Sequence, residues 1–168
     1  MFPGKARGSA AERHADCIWR DIQSRTPDAL IDLHTDVAGA IPYAIVDRVV
    51  RVRDRRRLTN MCARLAHASG LTVLAEYPKD RYLRYNLDKS LPGSMINLAG
   101  IPAVTLEVGP RRRLDPEAAA IATGAVLGVL TELGVARIPA KEAAGRQDSG
   151  RWRRESGPRT NHTGILVP

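Results

Sequence analysis

Aromatic residues are scarce in this chain, at 4% of 168 positions, so Val, Leu, Ile and Ala must build its core. Cysteine is scarcer still. Cys17 and Cys62 are the only two, and their spacing suits neither a metal cluster nor a redox pair. They read as reduced thiols of a cytoplasmic protein. No run of about 18 apolar residues occurs, which excludes a membrane-spanning helix. The opening residues, MFPGKARGSAAER, hold no apolar segment and do not read as a secretory signal.

What is present suffices for one globular domain: 43% of residues are hydrophobic and 26% charged. The formal net charge is +8, concentrated in arginine-rich stretches at 48–57, 111–113 and 151–154. A basic surface attracts nucleic acid or any anionic ligand. These stretches lack interleaved aromatics and no nucleic-acid motif surrounds them. They read as solvated surface, and nucleic acid is not expected as a partner.

Ser9 stands three residues before Glu12, the spacing of a capping box. Ala11, Ala15, Ile18 and Ile22 then recur at helical intervals, so residues 10–25 read as an amphipathic helix. Residues 29–33 follow as a buried strand, with His34, Thr35 and Asp36 directly after it. A second strand is expected at 42–46. Leu58, Met61, Cys62 and Leu65 mark a helix face, with Gly70 as its stop. Residues 71–77 read as a strand and 78–91 as a polar surface loop. A short helix is expected at 92–98, closed by Gly100, and a strand at 103–108, stopped by Gly109 and Pro110. A long helix begins at Asp115-Pro116-Glu117 and runs to Leu133. Helices alternating with short apolar strands predict an α/β fold, with a mainly parallel or mixed sheet flanked by helices. The expected organisation is an α/β domain over 1–138, a linker over 139–158 and the start of a β domain over 159–168.

In open α/β sheets, ligands bind at the carboxyl ends of strands. His34 is read at such an end, and Asp32, two residues earlier, points to the same side. An imidazole there can bind a metal with the carboxylate orienting it, or it can be a hydrogen-bonded strand-end histidine. Glu107 ends another apolar strand. In a partly dry cleft its pKa rises, which suits a general base; the other reading is an ion pair with Arg111, Arg112 or Arg113.

The segments Ile31-Asp32-Leu33-His34-Thr35 and Ala99-Gly100-Ile101-Pro102-Ala103-Val104-Thr105-Leu106-Glu107-Val108-Gly109 resemble the succinylglutamate desuccinylase/aspartoacylase family of zinc carboxypeptidase-like hydrolases. Phe2-Pro3-Gly4-Lys5, with Gly8-Ser9 and Ala11-Glu12-Arg13, is similar to the segment after that family's Asn-Arg motif. Thr160-Asn161-His162-Thr163-Gly164-Ile165-Leu166 is similar to the entry of its C-terminal β domain. The resemblance implies that His34 is the third zinc ligand. It makes Glu107 the acid/base that activates zinc-bound water toward a small N-acylated amino acid or related amide.

The resemblance also implies gaps. The family's His-Gly-Asn-Glu segment, with two zinc ligands, and its substrate-binding Asn-Arg pair have no counterpart here. Asn97 stands where aspartoacylases carry a substrate-binding Arg, leaving Arg81 and Arg84 as candidate sources of charge. His14 and Cys17, three apart on the first helix, could share a face, but Cys62 and His67, five apart, would not, and His162 lies on the tail, so a zinc site rebuilt from these groups is not expected. The sequence therefore predicts an impaired zinc-dependent deacylase, truncated at both ends. The alternative is a non-catalytic binding protein on the same scaffold, with a basic, anion-binding surface.

Overall fold

The computed structural model of the chain describes residues 1–36, 40–110, 114–137 and 152–154. Helix α1 spans Ala10–Ser24 and starts at the capping box, where the Glu12 amide donates to Ser9 Oγ and the Ser9 amide to Glu12 Oε2. Strand β1 is Leu30–Asp36, β2 Tyr43–Val46, β3 Thr72–Ala75, β4 Ala103–Pro110 and β5 Trp152–Arg153. Helix α2 (Arg55–Ala68) is capped by Asp54, and α5 (Pro116–Glu132) by Asp115, whose Oδ1 accepts from the Glu117 and Ala118 amides. Such caps satisfy backbone donors that a helix start leaves free.

The strands form one mixed sheet in the order β1-β4-β2-β3-β5. Neighbours run parallel except β2 and β4, which are antiparallel. Helices α2 and α5 cover one sheet face, where Ala44, Val104, Leu106 and Val108 meet Leu65, Ala66, Ala125 and Val129. Gly128 permits the close approach of the two helices, because a Cβ there would lie 2.1 Å from the Ala68 carbonyl oxygen. A second apolar cluster joins Leu58, Cys62, Met95, Ile96 and Ala103 to Trp19 and Ile22 of α1.

Three sequence expectations need correction. Residues 78–91 do not form a surface loop. They fold into helix α3 (Lys79–Arg84) and a 3-10 turn (Leu87–Lys89), followed by the short helix α4 (Leu91–Ser94). Tyr82 is fully buried there, and buried Asp88 pairs with Arg51 Nη2 at 2.6 Å. The aromatic and acidic residues that look like loop composition are interior anchors.

Second, β1 is not a buried strand ending before His34. It continues to Asp36 because His34 stays in register with Glu107 of β4. It lies at the sheet edge, with Leu33, His34 and Thr35 exposed. Third, Trp152–Arg153, inside the stretch read as a linker, pairs with β3. The remainder of that stretch, Arg111 to Arg113 and residues 159–168 lie outside the described residues. Cys17 is exposed, Cys62 is buried, and both are free thiols. Among the described residues, no helix is long and apolar enough to cross a membrane.

Candidate active site

Side chains alternate across a strand, so residues paired in register share a face. One register row is His34–Glu107–Tyr43 and the next is Asp32–Thr105–Ile45. Asp47 and Glu76 directly follow the last β2–β3 pair, and Arg154 follows the last β3–β5 pair. These residues keep the same alternation, and all but Tyr43 line one cleft on the sheet face opposite α2 and α5. Its volume is about 380 Å³, and Phe2, Leu87, Ser90, Leu91 and Pro92 form its other wall. The Phe2 amide donates to the Lys89 carbonyl at 2.9 Å, which fastens the N-terminal segment to that wall.

His34 Nε2 lies 3.1 Å from Asp32 Oδ2. Glu107 stands beside this pair on the adjacent strand. Burial raises the pKa of its carboxyl group, against the opposing pull of His34. Glu107 Oε2 is buried, with no hydrogen-bond partner among the described residues. A carboxylate in such surroundings holds a proton more readily than usual, as a base that takes one from water requires. Tyr43, held protonated by burial, donates to Asp36 Oδ2 at 2.7 Å.

The other end of the cleft went unread in the sequence. Glu76 is 3% exposed and accepts from Arg154 Nη1 at 3.2 Å through Oε2 and from the Tyr77 amide at 2.9 Å through Oε1. The Arg154 guanidinium also lies over the Tyr77 ring, 5.3 Å from its centroid. Arg48 fixes the end of β3 by donating to the Glu76 and Tyr77 carbonyls. Asp47 is 6% exposed, and burial pushes its carboxyl pKa up to about 7. The signal that singled out Glu107, an acid closing an apolar strand, was equally present at Asp47 and Glu76.

Asn97 and Arg84, the two residues considered for substrate binding, do not line this cleft. Asn97 is buried and fully occupied with backbone groups. Its Oδ1 accepts from the Val50 and Arg51 amides at 2.7 and 3.2 Å, and its Nδ2 donates to the Arg48 and Gly93 carbonyls, each at 2.9 Å. It ties the β2–α2 connection to α4 through these four bonds. Arg84 is exposed on α3 and does not line the cleft.

The zinc centre implied by the sequence resemblance asks for three protein ligands. Among the described residues, no group of three His, Cys, Asp or Glu side chains could hold a metal ion. His34 and the carboxylates beside it do not fit that centre by themselves.

This mixed sheet, flanked by helices, has the fold of solved succinylglutamate desuccinylase and aspartoacylase structures. The ectoine utilization protein EutE of Ruegeria pomeroyi, in a product-bound structure, matches with a TM-score of 0.65 and 19% identity, over 90% of this chain and 42% of that one. A succinylglutamate desuccinylase/aspartoacylase from Rhodobacter sphaeroides matches at 0.64 and 20%, over 90% and 42%. A succinylglutamate desuccinylase from Silicibacter sp. matches at 0.61 and 20%, over 79% and 38%. The chain spans about two-fifths of the length of these structures. No family model and no curated protein matches it.

Proposed function

We propose that the chain forms part of a hydrolase that removes the acyl group from a small N-acylated amino acid or related amide. The observation that carries this reading is Glu107. Its carboxylate has a raised pKa and a buried oxygen unpartnered among the described residues, it opens into a cleft, and it lies in register with His34. In this role Glu107 takes a proton from the attacking water and passes it to the departing amine. Asp32 orients the His34 ring through their hydrogen bond.

Zinc is the cofactor that the sequence resemblance implies, with His34 as one ligand. Further donors must come from outside the described residues, so the chemistry assigned here is confined to what this chain's side chains do. With that centre incomplete among the described residues, slow turnover by the chain is expected. Two free cysteines suit a reducing cytoplasm. The test is release of free amine from a panel of N-acylated amino acids by the purified chain with added zinc. Slow release that disappears in Glu107→Gln is expected. Equal release by the wild type and Glu107→Gln would overturn the reading.

A further inference from the structure

We propose that the Asp47–Glu76 end of the cleft is a subsite for a primary ammonium group carried by the ligand. The inference names a substrate class for the proposed hydrolase and takes its biological meaning from that reading. Its physical basis is separate.

The protein carries a formal net charge of +8, yet this cleft is acidic. Asp32, Asp47, Glu76 and Glu107 line it, against Arg154 and His34. Buried carboxylates are expensive unless each meets a cation or several donors. Glu76 meets that demand with Arg154 and the Tyr77 amide. Asp32 has His34. Asp47 does not meet it. Only 6% exposed, Asp47 lines the cleft with no ion-pair partner among the described residues; the neutral Tyr82 hydroxyl and the more weakly acting Arg154 favour its charge, while Glu76 and Asp32 oppose it. Arg154 is already shared between Glu76 and the Tyr77 ring. A second cation placed between Asp47 and Glu76 would balance this end.

A compact ammonium suits the place better than a metal ion. No three acidic, histidine or cysteine side chains among the described residues converge tightly enough for a metal. An ammonium needs only hydrogen-bond acceptors around three N–H groups. The same cleft joins this end to Glu107, so one ligand can place an ammonium at Asp47 and an amide beside Glu107.

The experiment is equilibrium binding to the full chain, followed by calorimetry with metal chelated. It uses N-acetyl-1,4-diaminobutane, which keeps one ammonium, the neutral N-butylacetamide, and butyrate. The ammonium ligand is expected to bind about tenfold tighter than the neutral amide, as a charge-assisted hydrogen bond allows. Butyrate should bind no better than the neutral amide. Asp47→Asn should erase the ammonium preference, and Arg154→Gln, which removes the competing cation, should increase it. Equal binding of the three ligands, or absence of binding, would overturn the subsite. So would a preference that survives Asp47→Asn or falls in Arg154→Gln. Because binding needs no turnover, this inference and the hydrolase reading fail separately.

Discussion

The two faces of the sheet are built from interleaved residues and behave as different materials. On one face Val104, Leu106 and Val108 alternate with the residues of the other and are closed under α2 and α5. On the opposite face Thr105 and Glu107 open into a cleft shared with Asp32, His34, Asp47, Glu76 and Arg154. Moving one position along β4 therefore exchanges a packing role for a chemical one. The first face supplies stability by burying apolar surface. The second concentrates charge in partly dry surroundings, where carboxyl groups shift and the fold gains little. Substitutions on the two faces should separate stability from chemistry, and their expected effects on stability run from several kcal/mol to almost none.

The largest loss is expected for Leu106→Ala. The side chain is fully buried between the sheet and its helices. Its truncation should lower unfolding free energy by about 2–5 kcal/mol, read from urea denaturation. A loss below about 1 kcal/mol would mean that this face is not the closed core described.

Asp47→Asn tests the opposite face by a change of sign. Burial raises the Asp47 pKa from 3.8 to about 7, so the folded state retains a proton that the unfolded state releases. Its stabilising contribution is complete below pH 3.8 and is lost as pH rises to about 7. That gap corresponds to about 4 kcal/mol at most. The wild type should lose stability across this window by melting temperature or urea midpoint. Asp47→Asn should flatten the slope and be the more stable protein at pH 8. An unchanged slope would show that Asp47 is not held in a dry site.

Asn97→Ala probes the joint between α4 and the β2–α2 connection. It leaves the backbone partners of four hydrogen bonds unmet. A loss of about 1–3 kcal/mol is expected, with re-entry of water setting the lower end. If the stability holds but substrate affinity falls, Asn97 binds the ligand after all.

Much of this architecture was legible because local rules and tertiary structure agree. The Ser9–Glu12 capping box, the Leu58–Cys62–Leu65 face and the Asp115 cap each act within one element. Asp32, His34 and Glu107 were found by a rule about strand ends, and the cleft brings the three together. The misreadings arose where distant segments decide the outcome. Tyr82 and Asp88 look like loop residues until Asp47 and Arg51 meet them in the interior. Arg154 reaches Glu76 from 78 positions away, a pairing without local trace. His34 stays inside β1 because Glu107 of β4 extends the ladder past it, which a reading of β1 alone cannot show.

Glu107→Gln should be the mildest of these changes for stability and the most severe for chemistry, because it keeps side-chain shape while removing the base. The deciding measurement is the ratio of amine-release rates from N-acylated amino acids for wild type and Glu107→Gln, taken where melting curves show both proteins fully folded. A drop of about 10²–10⁴-fold is expected for loss of a positioned base. A ratio near one would contradict the assignment of this cleft as a hydrolytic site with Glu107 at its centre.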